Sequence, residues 1–571
     1  MAIRNSEIAD LFDHLADLLE IEEANPFRVR AYRNASRIVR GSSKNMADLV
    51  NDGQDLSKLP SIGKDLAGKI ETIVETGSLP LLEEVSARTP PALSDLMRIP
   101  GLGPKRVKIL YKTLHVRSLD DLRKAADGGR IRELPGFGEK TECLIRERLG
   151  QRTGARMKLL EAEAIAEPLA DYLRKAPGVK EVTVAGSYRR RKETVGDLDI
   201  LVTARQASAA VDRFVAYDEV SEVLSKGNTR CSVRLRSGLQ VDLRVVPQVS
   251  YGAALHYFTG SKAHNIAVRT IGVKKGYKIN EYGLFKGSKR IAGRTEQEIY
   301  KKIGLTYIPP ELREDRGEIQ AAQRHRLPKL ITREDIRGDL HCHTTETDGH
   351  NTLEQMAEAA VARGYEYVSI NDHSKRVGIA HGLDEKRLMR QIKAIDKLNA
   401  KLDGFTILKS IELDILEDGS LDLPNRVLKE LDLTVCSVHY QLKLPRQRQT
   451  ERILRAMDNP YFTILGHPTG RLINEREPYD LDLEKIMRGA KERGCFLELD
   501  AQPSRLDLSD DACKLAAELG VKIAISSDAH SADGLALMRL GIDQARRGWL
   551  TADDVLNTRT LSKLRALLKR P

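Results

Sequence analysis

Between residues 339 and 530, strand-like runs alternate with helical stretches, and nearly every run ends in a histidine or a carboxylate. After DLHCH come YVSIND, FTILKSIELDIL, LTVCSVHY, FTILGH, CFLELD and KIAISSD. Such alternation calls for parallel strands joined by helical crossovers, a (β/α) barrel-like domain whose chemistry sits at the strand ends. Those ends supply His341, His343 and Asp348 (DLHCHTTETDGH), His373 (INDHS), Glu412 (SIELDIL), His439 (SVHY), His467 (LGHPTG), and Asp528 with His530 (SSDAH). Nine imidazole and carboxylate groups on one face make a ligand set for more than one ion, and mixed nitrogen and oxygen donors suit Mn²⁺, Zn²⁺ or Fe²⁺. Ions of this kind activate water for phosphoester hydrolysis. Glu498 and His381 are further candidates; His381, in the loop GIAHGL, is either a phosphate contact or a solvated loop histidine.

The preceding half is built differently, as expected in a chain of 571 residues, too long for one core. Residues 5–85 carry apolar residues at helical spacing (IADLFDHLADLL) and a basic stretch, FRVRAYRNASRIVR. Arg28, Arg30, Arg33, Arg37 and Arg40 fall within it, with Tyr32 among them as a stacking surface for bases. A repeat follows: LPSIGKDLAGKI (59–70), IPGLGPKRVKIL (99–110) and LPGFGEKTECLI (134–145). Its glycines (Gly63, Gly101, Gly103, Gly136, Gly138) let another backbone come close, and the N–H groups opening the next helix suit a phosphate. The first copy has Ser61 where the others have Gly101 and Gly136. The net charge of +11 favours an anionic partner. Nucleic acid fits better than membrane, since no run of about 18 apolar residues occurs. The acidic, amphipathic start is neither a signal nor a transit peptide. Six cysteines without CxxC pairs argue against a disulfide framework and a zinc finger and suit a reducing cytosol.

Between these halves, a helix over 155–175 leads into VTVAG, a Gly-Ser turn, and DLDILVTA; VRLRSGLQVDLRVV then reads as a hairpin turning at Ser237-Gly238. Asp197 and Asp199 lie two apart on a strand, so their carboxylates share a face, roughly 7 Å apart. Mg²⁺ relieves that repulsion while taking substrate phosphates. With Asp242 as a third carboxylate, two ions about 3.5–4 Å apart serve in-line phosphoryl transfer. Backbone N–H groups at Gly186 and Ser187 are placed to meet a triphosphate, with Arg189, Arg190 and Arg191 nearby. Residues 309–334 lack apolar periodicity and read as a linker.

The pattern GS-x(9)-DLD with a later strand aspartate resembles the nucleotidyltransferase palm of the DNA polymerase X family, to which polymerase beta belongs. YFTGSKAHNIAVRT (257–270) supports the resemblance. The repeats resemble helix-hairpin-helix motifs, and the histidine-bearing strand ends resemble the polymerase and histidinol phosphatase (PHP) domain, a distorted (β/α) barrel with a trinuclear metal site. The resemblance implies a multidomain chain: a helical N-terminal domain (1–88), helix-hairpin-helix fingers (89–153), an α+β palm (154–247), a thumb (248–315), a linker (316–334) and a PHP domain (335–571). It implies that Asp197, Asp199 and Asp242 bind two Mg²⁺ ions, with Asp242 activating the primer 3′-hydroxyl. Gly186, Ser187 and Arg190 would meet the triphosphate of a deoxynucleoside triphosphate. Tyr257 and Phe258 would pack on its sugar beside Gly260, Asn265 would touch its base, and Arg269 the template. Lys262 departs from the family, standing where polymerase beta has an acidic residue. Lys69 matches the Schiff-base lysine of the family's deoxyribose-phosphate lyase, or else is a phosphate contact; Asp65 stands there in place of a basic residue.

The implied function is a DNA-dependent DNA polymerase filling short gaps in base excision repair, acting on gapped or nicked DNA. The PHP domain would add a 3′–5′ exonuclease using up to three Mn²⁺ or Zn²⁺ ions, with AP endonuclease or 3′-end processing as an extension. The setting would be the bacterial cytoplasm, nucleoid-associated when on DNA. Two other readings stand beside it: a template-independent nucleotidyltransferase, and a DNA-binding scaffold with a structural metal barrel.

Overall fold

A computed structural model describes residues 3, 5–40, 42, 45–59, 62–97, 99, 102–138, 141–142, 145–146 and 156–568. The chain forms two compact units, Met1–Ala155 and Arg156–Pro571.

The first unit is helical. Helices Asn5–Ile21, Pro26–Arg40, Lys64–Thr76, Pro80–Arg88, Pro104–Leu114 and Leu119–Asp127 surround a single apolar core that runs from Ile8 to Ile145. Prolines open three of these helices, where their missing N–H costs nothing. The basic stretch is differently placed from the expectation. Tyr32 is only 2% exposed and stacks on Phe12 in the core, centroids 5.9 Å apart, so it offers no surface to a base. Arg33 pairs with Asp17 and Glu20, and Arg40 with Asp10 and Asp13, all on the acidic first helix. Amphipathic spacing explains both: Tyr32 falls on the stripe of Val29, Ala35 and Val39, which is buried.

The second unit opens with a mixed five-stranded sheet. An interior strand, Asp197–Ala204, runs antiparallel to the edge strand Val179–Val184 and parallel to the central strand Gln240–Val245; Arg230–Leu235 and Val220–Lys226 complete the sheet. The expected hairpin turns at Gly238, whose φ of 83° suits glycine. Helices Tyr251–Thr259 and Lys262–Lys274, a three-stranded sheet and helix Glu296–Ile303 follow, around their own core. Residues 316–334, expected as a linker, carry helix Glu318–Gln323, and Ile319, Ala322 and Leu330 join that core. The stretch looked unstructured because its anchor is a carboxylate. Glu318 is fully buried, accepting from the N–H groups of Asp315 and Arg316 (both 2.7 Å) and lying 2.7 Å from His264.

Beyond residue 336 eight short parallel strands form sheets of three and five. Strands Thr406–Lys409 and Glu412–Asp414 are nearly continuous, the first pairing in one sheet and the second in the other. Single bridges, Cys342 to Ala529 and His373 to Glu412, connect the sheets, so pairing passes round a ring rather than ending at open edges.

This ring packs directly on the mixed sheet: Ile473, Leu506 and Leu540 belong to the core of the latter. Around the apolar contact lie ion pairs. Arg191 reaches Asp543 (2.7 Å) and Glu163 (2.5 Å), and Arg471 reaches Glu193 (2.7 Å). Arg547, 4% exposed, donates to Asp510 (2.5 Å), Glu314 (3.3 Å) and the carbonyl of Arg190 (2.8 Å). Removing that cation would leave Glu314 to Arg190 alone and Asp510 to Arg316 alone. Arg547→Leu should therefore lower stability by about 1.5–3 kcal/mol, measured by thermal unfolding of the full chain. Burial alone would raise the Glu314 carboxyl, but Arg190 and Arg547 hold it near 2, below its ordinary 4.5. A depressed carboxyl stabilises the fold above its ordinary range and stops doing so as pH falls from about 4.5 to about 2. The gap between variant and wild type should close through that window.

Candidate active sites

The first site follows from strand register. Asp199 and Asp242 are direct partners across parallel strands, and Asp197 lies two residues before Asp199 on the same face. Burial, then Asp197 and Asp242, push the Asp199 carboxyl up to about 7, with Arg244 and Arg190 offsetting only part of this; Asp197 is also raised. Asp242 accepts from the hydroxyl of Ser232 and from Gln240 Nε2 (3.2 Å), which fixes its orientation. Gly186 has φ +64°, and a Cβ there would sit 3.2 Å from Asp199 Oδ2, so only glycine lets this turn pass so close to the carboxylates. Three converging carboxylates with too few cations fit divalent metal ions.

Arg190 sits beside the site but holds Glu314 (2.9 Å) and the carbonyl of Thr259 (2.8 Å). Arg189 and Arg191, expected near a triphosphate, point elsewhere: Arg189 grips Glu296 through two bonds of 2.8 Å, and Arg191 faces the ring. Asn265 donates to the carbonyls of Tyr257 (2.7 Å) and Gly260 (3.1 Å). Tyr257 and Phe258 pack edge to face; Arg269 lies over Tyr257 and Arg244 over Phe258. A Cβ on Gly260 would come 2.6 Å from Asn265 Oδ1, which explains that glycine. Lys262 opens the next helix behind the Ser261 cap.

The second site gathers all nine ring candidates. Their donor atoms fall into three overlapping groups: His343, Asp348, His373 and His530; His341, His343 and Asp528; His373, Glu412 and His439. His467 joins through Glu412, 2.9 Å away. Two contacts are telling. His341 Nε2 and His343 Nε2 stand 3.1 Å apart, and His373 Nδ1 lies 2.7 Å from Glu412 Oε2 without hydrogen-bond alignment. Donor atoms converging this closely fit a common cation that takes the place of the protons between them. His467 (φ 25°) and Asp528 (φ 48°) hold left-handed backbone, strain of the kind found at functional sites.

Carboxylates that sequence reasoning passed over brace the ligands. Asp414 lies 3.3 Å from His439 Nδ1, and Asp339 accepts from the N–H groups of His341 (3.2 Å) and Ser527 (3.1 Å). Glu498, singled out beforehand, is 2.8 Å from His341 Nδ1 and accepts from the N–H of His467 (2.7 Å). The signal for the missed pair was present: each stands two residues from a ligand on its own strand (DLH, ELD). His381 is exposed, and its backbone rather than its ring is held, by Arg387.

In the helical unit Gly63 and Gly103 adopt the same N-cap backbone (φ −85° and −81°, ψ 172° in both), without a side-chain cap and with nothing within 4 Å of where a Cβ would stand. Gly136 (φ +80°) and Gly138 are equally open, while Gly101 and Ser61 lie outside the described residues. Lys69 pairs with Asp65 one turn back. No helix of the described residues is long and apolar enough to cross a membrane.

Residues 156–244 match the DNA polymerase beta palm and 254–314 the DNA polymerase beta thumb; 3–79 match a helix-hairpin-helix domain and 93–151 a SAM-like helix-hairpin-helix tandem. The DNA polymerase/3′-5′ exonuclease PolX of Bacillus subtilis (strain 168) is 35% identical over 574 residues, covering all of both chains. A probable phosphatase of Thermoanaerobacter sp. (strain X514) is 33% identical over 244 residues, 40% of this chain and 94% of that protein. Another, from Acetivibrio thermocellus, is 32% identical over 202 residues, 34% of this chain and 78% of its own.

The electrostatics of the ring site give a measurable consequence. Burial alone would lower its imidazoles. Glu412 with Asp348 instead holds His373 near 10, Glu412 with Asp414 holds His439 near 9, and Asp348 with Asp528 holds His530 near 9. At neutral pH these rings carry protons that a metal must displace. Mn²⁺ binding should release protons at pH 7, and affinity should rise from pH 6 to 9 by up to about tenfold per pH unit for each proton displaced. Calorimetry in two buffers of different ionisation enthalpy checks this; binding without proton release would contradict it.

Proposed function

The chain belongs to the family X DNA polymerases that carry a C-terminal PHP domain, and on that premise we propose that it extends DNA 3′ ends at the carboxylate site and shortens them at the ring site. The reading is carried by one observation: Asp199 and Asp242 in register beside a Gly-Ser turn, in the same compact unit as a nine-residue ligand cluster.

At the first site Asp197, Asp199 and Asp242 would hold two Mg²⁺ ions. Such ions supply positive charge to the triphosphate and to the 3′-hydroxyl that attacks it. Asp242, fixed by Ser232 and Gln240, takes the primer side, and the backbone of Gly186 and Ser187 takes the phosphates. Arg190 exchanges Glu314 for the triphosphate, Tyr257 and Phe258 bear on the sugar beside Gly260, Asn265 on the base, and Arg269 on the template. Lys262, a cation where polymerase beta has an acid, adds attraction for the incoming nucleotide. At the second site His341, His343, Asp348, His373, Glu412, His439, His467, Asp528 and His530 would hold up to three ions, Mn²⁺ or Zn²⁺, which supply an activated water for 3′–5′ cleavage.

The substrate that joins both activities is gapped or nicked DNA in base excision repair. Gly63, Gly103, Gly136 and Gly138 would present backbone N–H groups to the phosphates, so binding is salt-sensitive and largely blind to sequence. Lys69, paired with Asp65 one turn back, serves as a phosphate contact.

The test follows a 5′-labelled primer on gapped DNA with Mn²⁺. Asp197→Ala/Asp199→Ala should lose extension by roughly 10³-fold or more while still shortening the primer. His341→Ala/His343→Ala should extend it without shortening. A folded ring variant that degrades primer as fast as wild type would overturn the nuclease assignment.

A further inference from the structure

Beside the metal ligands stands an aromatic ring held as firmly as a core residue yet left in water. Tyr440 directly follows the ligand His439 and is 38% exposed. Its carbonyl accepts from Nη1 of Arg452 (3.0 Å), an arginine only 4% exposed that also grips the carbonyls of Ile415 and Leu416. Its hydroxyl donates to the carbonyl of Arg376 (3.1 Å), three residues after the ligand His373. The Arg376 guanidinium lies over the ring, 5.2 Å from its centroid, and the Arg376 N–H donates to Asp422 (2.8 Å). Tyr440 is thus pinned between the loops of two ligands.

The loop carrying Arg376 is braced as well. Ser374 bridges Leu383, and the Leu383 N–H donates to the carbonyl of His373 (2.7 Å). Gly382 packs so closely that a Cβ would lie 1.9 Å from the Ser374 carbonyl oxygen. At its tip Ile379 is 93% exposed. A braced loop with apolar surface turned to water, next to a metal cluster, has no role in the core.

We propose that the ring of Tyr440 is the platform on which the base of the 3′-terminal nucleotide stacks while its phosphodiester enters the metal cluster, with Arg376 supplying a cation to the neighbouring phosphate. The inference rests on the exonuclease reading above and names how that site holds its substrate. The face of the ring performs this task, because the hydroxyl is already engaged with Arg376. Stacking suits a nuclease that must accept any sequence, since every base has a π-face.

The experiment uses the full chain with Mn²⁺ and two single-stranded oligonucleotides, one ending in an ordinary nucleotide and one in an abasic tetrahydrofuran residue. Tyr440→Ala should lower kcat/KM for the base-bearing end by about 5- to 150-fold and leave the abasic end unchanged. Tyr440→Phe and Tyr440→Trp should keep wild-type rates on both. A Tyr440→Ala variant that slows both ends equally, or neither, overturns the platform while the exonuclease reading stands. A wild-type chain that shortens neither oligonucleotide defeats the exonuclease reading itself, and the platform falls with it.

Discussion

The fold gathers ionisable side chains into water-poor clusters, and both sites of this chain are consequences. Asp199 and Asp242 face each other because parallel strands align them, and burial, with the charges of Asp197 and Asp242 added, pushes the Asp199 carboxyl up to about 7. In the ring, the buried Glu412 is shared by His373, His439 and His467, with His341 and His343 within 3.8 Å. Such groupings are costly in water-free surroundings unless protons or cations balance them. The fold therefore creates a standing demand for positive charge at two defined places, and metal ions meet that demand together with the substrate's own charge.

The chain's abundant arginines do not meet it, because many are committed elsewhere. A net charge of +11 suggests an open basic surface. Yet Arg33 and Arg40 neutralise the first helix, Arg189 ties the mixed sheet to Glu296, and Arg191, Arg471 and Arg547 join that sheet to the ring. Counting charges thus overstates the part left for nucleic acid. On the proposed reading, the described N-terminal unit also offers phosphates backbone: helix starts at Gly63 and Gly103 with no side chain over them.

What was legible in the sequence was whatever depends on local spacing. The DLD pair, the Gly-Ser turn and the histidines at strand ends mark their places because strand period and turn chemistry are short-range rules. What was not legible depends on partners far along the chain. Tyr32 looked like a base platform because its neighbours are arginines, and only Phe12 on another helix shows it to be core. Residues 316–334 looked like a linker because their anchor, Glu318, is buried through its pairing with His264, 54 residues away. Arg189 and Arg191 looked like triphosphate ligands until Glu296 and Asp543 claimed them.

The groups proposed to recognise a nucleotide are already occupied by the protein, which makes recognition an exchange of partners rather than the filling of a vacancy. Arg190 leaves Glu314 at little cost, because Glu314 keeps a second cation, Arg547. Asn265 holds the Tyr257–Gly260 turn through two carbonyls, so a base that engages Asn265 also acts on the turn bearing the two aromatic rings. A wrong nucleotide would break these contacts without replacing them, whereas a right one trades each for an equivalent bond. On the proposed reading, selectivity at this site arises from what the protein gives up as much as from what the nucleotide provides.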